Sequence, residues 1–116
     1  MAKYKHVDLD AENALRLLAE LRKRRESNDI DEAIRYIRNF DEFYEYMRKK
    51  FKDYIAPPHR PEDYIRGRAV VDKVKLYIDG QGRKRVVIVF DRRVKTDEIV
   101  EALKTIGFQV EVKKAF

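Results

Sequence analysis

The chain has 116 residues, with 27 Lys/Arg against 21 Asp/Glu and no cysteine. The lack of cysteine excludes disulfides, thiolate metal ligands and thiol nucleophiles, and it is typical of an intracellular protein, so we expect a cytoplasmic location. No run of about 20 apolar residues is present to span a membrane. The length predicts one domain, residues 1–116, with a core of its own.

The composition indicates a heat-loving source. Charged residues make up 41% of the chain, whereas the thermolabile amides Asn and Gln number only five. Ion-pair networks contribute more at high temperature, and labile amides become scarce. We therefore expect the protein to come from a thermophilic archaeon or its virus.

Residues 1–55 predict a helical hairpin. The first helix is expected over residues 11–26, with Asp8 or Asp10 as its N-cap and an apolar stripe at helical spacing. Four consecutive cations, Arg22 to Arg25, complement the negative end of this helix. These cations would contact phosphates if the hairpin lay beside a nucleic acid.

The second helix is expected over residues 30–54, where Asp29 and Glu32 resemble a capping box. Its apolar positions follow a nearly unbroken heptad: Ile30, Ala33, Ile37, Phe40, Tyr44, Met47, Phe51 and Tyr54. Such a stripe predicts packing against the first helix and the sheet. The alternative is a homodimer formed through this helix.

Residues 56–68 contain three prolines and predict an extended basic linker without regular helix. Residues 69–116 predict a ββαβ unit. Its elements are strands at 70–78 and 85–91 joined by a turn at 79–82, a helix at 96–106 and a strand at 108–113. A right-handed crossover makes the last strand parallel to the second. The expected fold is therefore α+β, with a three-stranded mixed sheet and helices on both of its faces.

The excess positive charge is concentrated in residues 57–95, which hold 11 Lys/Arg against 5 Asp/Glu. Alternation places Lys73, Lys75 and Tyr77 on one side of the first predicted strand. A basic hairpin can lie along a nucleic acid and neutralise phosphates, while Tyr77 and Tyr64 are candidates to stack on unpaired bases. We predict a nucleic-acid-binding site at Arg60, Arg66, Arg68, Lys73, Lys75, Tyr77, Arg83, Lys84 and Arg85. The alternative is a charged edge strand that discourages aggregation.

Two acids end the hairpin strands: Asp79 ends the first, and Asp91 ends the second, with Arg93 two residues later. This α–β–β–α–β order with an acid near each strand resembles the restriction-endonuclease-like nucleases. The resemblance implies that Asp79 and Asp91 would bind a divalent metal through oxygen ligands. Arg93 stands where that family has a lysine, and an arginine cannot transfer a proton as a base.

Other chemical signatures are missing from the sequence. His6 and His59 have no His or Cys partner at zinc-ligand spacing, and no Gly-rich phosphate loop opens a helix. We therefore expect a small non-enzymatic accessory or regulatory protein that binds DNA or RNA, with no catalytic residue, cofactor or metal. The alternatives are a protein-interaction module, either dimerising or inhibitory, that uses the second helix, and the metal-dependent nuclease.

Overall fold

The computed structural model describes residues 4–59, 61–108 and 113–115. The strands are β1 (Tyr4–Asp10), β2 (Val71–Ile78), β3 (Lys84–Phe90) and β4 (Lys113–Ala115). The helices are α1 (Ala11–Arg24), α2 (Asn28–Arg38), α3 (Phe40–Lys49), α4 (Pro61–Ile65) and α5 (Thr96–Thr105).

The strands form one sheet in the order β2-β3-β1-β4, and every neighbouring pair is antiparallel. β1 and β2 therefore run parallel on either side of β3, and β3 and β4 run parallel on either side of β1. These are two interleaved βαβ units, the split-βαβ or ferredoxin-like arrangement. The α+β class is confirmed, whereas the prediction of a three-stranded mixed sheet is wrong. Since this arrangement hosts many activities, it does not by itself indicate a function.

β1 is the element that the sequence analysis missed, and it lies in the interior of the sheet. Val7 and Leu9 are buried, while His6 and Asp8 alternate to the other face. Two apolar side chains in a seven-residue strand give a weak signal, so the segment looked polar. β1 separates β4 from β3, which is why the predicted parallel neighbours are not paired. Of the last predicted strand, residues 109–112 lie outside the described residues.

The core lies on one face of the sheet. Val7 pairs with Ile88, and Ile88 pairs with Val74, so these three residues share a face. They belong to one buried cluster that also contains residues of α1, α2, α3 and α5. The prediction that helices cover both faces is therefore wrong, because the buried apolar residues of α1, α2, α3 and α5 all join the same cluster. The opposite sheet face is left partly exposed.

The second predicted helix is two helices. α2 ends at Arg38, and α3 begins at Phe40, because Asn39 leaves helical geometry with φ −109° and ψ 46°. The apolar stripe from Ile30 to Met47 is nevertheless packed into the core of the same chain. The predicted intramolecular packing is confirmed for this part of the stripe, and it requires no second copy of the protein.

The proline segment is more structured than predicted. Pro61 begins the short helix α4, a position that proline tolerates because the first helical N–H has no partner in the helix. Ahead of it, Ile55 forms two backbone hydrogen bonds with Val74, at 2.8 and 2.9 Å. Residues 56–68 are therefore tied to β2 at one end and contain a helical turn.

The helix starts differ in how well they were predicted. Asp10 is the N-cap of α1, and its carboxylate accepts a hydrogen bond of 3.3 Å from the Asn13 amide, as expected. α2 begins at Asn28 with Ser27 as its N-cap, and no side chain caps it by a hydrogen bond. The predicted capping box is wrong, because Asp29 turns into the core instead.

Candidate nucleic-acid interface

The candidate interface is the sheet face opposite the helices, which we call the open face. Alternate residues of the three longer strands point to this face. In β2 and β3 the pairs on it are Lys73 with Val89, Lys75 with Val87, and Tyr77 with Arg85. β1 continues the rows with His6 opposite Val89 and Asp8 opposite Val87. The open face consists of His6, Asp8, Lys73, Lys75, Tyr77, Arg85, Val87 and Val89, of which Val89 is itself buried. Four of the nine predicted site residues lie on it.

Lys73 and Lys75 are the least neutralised cations of this face, although burial raises the pKa of the neighbouring Asp72 and the positive charge of Lys73 partly offsets that rise. Neither forms an ion pair with any residue that the structure describes. The Nζ of Lys73 lies 4.6 Å from the centroid of the Tyr54 ring, a cation–π contact. Both side chains are partly exposed. Their charge is thus available to an anion on the open face.

Asp8 organises the remaining polar groups of the face. The Tyr77 hydroxyl donates to its carboxylate at 2.6 Å, and the Arg85 guanidinium donates to it at 3.1 and 3.3 Å. The hydrogen bond to Asp8 raises the pKa of Tyr77, so the phenol stays protonated. Asp8 therefore offsets the charge of Arg85 and occupies the hydroxyl of Tyr77.

The predicted cluster of Arg83, Lys84 and Arg85 is divided by strand alternation. Arg83 lies in the hairpin turn and pairs with Asp79 at 3.1 Å. Lys84 lies on the helical side, where its Nζ is 3.1 Å from an Asp41 oxygen and 5.5 Å from the Phe40 ring centroid. Only Arg85 reaches the open face. The structure does not bring these three cations together.

The linker arginines lie outside the strands. Arg66 and Arg68 are exposed in the loop between α4 and β2. Arg60 lies outside the described residues, and the structure does not describe the side chain of Tyr64.

The basic end of α1 is mostly engaged within the protein. Arg22 pairs with Asp31 of α2 at 3.0 Å, and Arg25 pairs with Glu98 of α5 at 3.0 Å. Arg24 pairs with Glu20 at 2.9 Å. These contacts connect α1 to its neighbours, so the expected phosphate contacts would compete with existing ion pairs.

The acids of the nuclease resemblance are far apart. Asp79 and Asp91 follow opposite ends of the hairpin, separated by about 23 Å, the length of the seven-residue β3. Asp79 accepts hydrogen bonds from the turn, at Gln81 and Arg83, and these lower its pKa. Asp91 accepts from the amide and Nε of Arg93 at 2.9 and 3.1 Å. The pair cannot hold one metal ion, and no cluster of three metal-ligating side chains occurs among the described residues.

Sequence reasoning missed a second basic surface at the end of α3. Phe51 is exposed, and four exposed cations, Arg48, Lys49, Lys50 and Lys52, flank it in the sequence. We call residues 48–52 the α3 corner. The net charge of the first 56 residues is close to zero, because the rest of that segment is acidic, and this total did not reveal the cluster of cations. The alternation of cations with one aromatic residue was the signal that could have found it.

Comparison of the chain with known protein families, curated proteins and solved structures finds no significant match in any of the three. In the described part of the chain, every helix is too short or too polar to cross a bilayer.

Proposed function

We propose that the protein binds nucleic acid without catalysing a reaction, and that the open face receives the phosphate backbone. The observation that carries this proposal is the pair Lys73 and Lys75. They lie side by side on one strand of a partly exposed sheet face and form no ion pair with a carboxylate in the described structure. Such cations gain free energy by displacing counterions condensed on a nucleic acid.

The remaining residues of the open face favour electrostatic binding of the phosphate backbone and do not favour recognition of the base sequence. RNA-binding sheets of other proteins stack bases on aromatic residues of their central strands. Here β1 and β3 place His6, Val87 and Val89 at the corresponding part of the face. We therefore expect binding with little sequence preference, in the role of an accessory or regulatory protein.

A charge-reversal experiment tests this function. Binding of fluorescent 20-nucleotide DNA and RNA, single- and double-stranded, is measured by anisotropy for the wild type and for Lys73→Glu/Lys75→Glu. The matched control is Arg38→Glu/Lys104→Glu, which changes net charge equally at exposed positions of α2 and α5. We expect the open-face variant to lose at least about tenfold in affinity and the control to lose much less. Equal losses in the two variants would contradict a site on the open face.

The two alternatives give different results with the same sample. A protein-interaction module would bind no nucleic acid and would show a mass that rises with concentration. A metal-dependent nuclease would nick plasmid DNA in Mg²⁺ or Mn²⁺ and would lose this activity in Asp91→Ala. We expect neither result, since the stripe from Ile30 to Met47 is buried and the two acids are separated.

A further inference from the structure

Phe51 combines two unfavourable features at one residue. Its φ is +52°, and it is the one non-glycine residue with a positive φ in the part of the chain that the structure describes. Its side chain is also 96% exposed. A bulky residue in left-handed geometry is rare because its Cβ crowds the backbone. An exposed side chain gains no free energy from burial, so the stability of the fold does not explain a phenylalanine at this position.

The backbone explains the conformation but not the side chain. The amide of Lys52 donates to the Met47 carbonyl at 2.9 Å, and the amide of Phe51 donates to the Arg48 carbonyl at 3.3 Å. These two bonds form a Schellman motif that ends α3, with Phe51 at the position where glycine is most common. Glycine would satisfy the same hydrogen bonds without crowding. The motif therefore presents a phenyl ring to solvent where the fold requires no side chain.

The surroundings of this ring are cationic. Lys49, Lys50 and Lys52 are exposed, and none forms an ion pair with a described residue. Lys52 lies 6.0 Å from the centroid of the Tyr46 ring. A ring flanked by such cations presents a flat apolar face and positive charge to the same ligand.

The α3 corner lies close to the open face along the chain. Three residues after Phe51, the ring of Tyr54 contacts Lys73, and Ile55 then bridges to β2. Three residues of extended chain span at most about 11 Å. One strand of a flexible polyanion can therefore reach both Lys73 and the α3 corner.

We propose that Phe51 stacks on an unpaired base of the bound nucleic acid, with Lys49, Lys50 and Lys52 on the adjoining phosphates. This inference rests on the proposed function and gives it a substrate class, single-stranded DNA or RNA. A base in a duplex is already stacked on its neighbours, whereas an unpaired base gains a partner from the ring.

The chemistry favours this ligand over a membrane or a protein. A membrane-surface helix must bury a broad apolar face, but the apolar face of α3, with Phe40 and Met47, is already in the core. A protein partner requires a contiguous apolar patch, whereas the sequence neighbours of Phe51 are charged. An exposed ring among cations matches a base and its phosphates.

Substitution of Phe51 tests the proposal. Phe51→Gly keeps the Schellman motif and removes the ring, so a loss of binding would not come from misfolding. We expect about tenfold weaker binding to a single-stranded 20-mer and less than a twofold change for a duplex. Ile65→Ala is the control, because Ile65 is also strongly exposed, at 84%, and does not belong to either surface.

Phe51→Trp supplies a direct readout, since the chain contains no tryptophan. We expect it to retain affinity and its fluorescence to be quenched on saturation with the single strand. Unchanged single-strand affinity in Phe51→Gly, or unquenched fluorescence at saturation, would overturn the stacking role while leaving binding to Lys73 and Lys75 intact. Blue-shifted tryptophan fluorescence with anionic phosphatidylserine vesicles, without any response to single strands, would also overturn it. Failure of the wild type to bind any nucleic acid would reject the proposed function itself.

Discussion

The imidazole of His59 and the carboxylate of Asp29, thirty residues apart in the chain, meet at 2.9 Å in the interior. Their side chains are 8% and 1% exposed. His59 Nε2 also lies 3.0 Å from the Val71 carbonyl, and since both neighbours are acceptors, this nitrogen carries the proton. Asp29 further accepts from the Val70 amide at 2.8 Å and from the Ser27 hydroxyl. The start of α2, the proline segment and the start of β2 are thereby joined at one carboxylate.

Asp29→Ala should destabilise the protein strongly. It would leave the buried Val70 amide without an acceptor and would remove one acceptor from His59 and from the Ser27 hydroxyl, and a buried donor left unsatisfied typically costs about 1–3 kcal/mol. The measurement is the free energy of unfolding in urea. Asp31→Ala, two residues away at the half-exposed pair with Arg22, should cost less than about 1 kcal/mol. Similar stabilities for the two variants would show that the buried network does not hold these segments together.

Asp72→Asn should stabilise the protein at neutral pH but not at acid pH. Asp72 lies in the bulge of β2, where burial raises its pKa, Lys73 partly offsets that rise, and Asp91 adds to it. A raised pKa in the folded state means that ionisation opposes folding. The penalty is absent below the ordinary pKa of about 3.9 and is complete above the raised one. Urea unfolding of both proteins at pH 7 and pH 3 measures this difference. A difference that is equal at the two pH values would contradict the assignment.

Asp8→Asn should strengthen nucleic-acid binding. It removes the negative charge that offsets Arg85 on the open face, while the amide oxygen can still accept from Tyr77. One unit charge a few ångströms from a phosphate is worth about 1 kcal/mol in water, or about fivefold in affinity. This increase in affinity should be smaller in 0.5 M salt, because the salt screens the interaction between the charge and the phosphate. Anisotropy at low and high salt measures it, and unchanged or weaker binding at low salt would argue against phosphate contacts beside Arg85.

Phe51→Gly should raise the stability of the protein by about 1 kcal/mol, because glycine adopts positive φ without crowding. Phe51→Ala is the informative comparison, since alanine removes the ring but keeps the strain. We expect only the glycine variant to melt at a higher temperature than the wild type. A glycine variant no more stable than the alanine variant would show that the conformation of Phe51 carries no strain.

Much of the local structure followed from periodicity. α1, α5 and the β2–β3 hairpin have clear helical or alternating patterns, and the structure confirms them. β1 was missed because its burial depends on its place between β3 and β4, which a seven-residue pattern does not encode. The break at Asn39 was also unpredicted, because the heptad spacing continues across it.

The candidate site was predictable only where it depended on alternation. Lys73, Lys75 and Tyr77 share a face as expected, and the same alternation separates Lys84 from Arg85. Phe51 was assigned to a buried seam because it continues the heptad. The helix ends at Lys49, however, and the left-handed turn that follows presents Phe51 to solvent.

The most direct test of the account is the salt dependence of binding to a single-stranded 20-mer. The wild type should show a linear fall of log K with log salt concentration. A slope of about −3.5 corresponds to the five phosphates that Lys73, Lys75, Lys49, Lys50 and Lys52 would neutralise. Lys73→Glu/Lys75→Glu should weaken binding and reduce the slope by about 1. No measurable binding at 50 mM salt, or an affinity and slope unchanged in this variant, would contradict the claim that the open face binds nucleic acid.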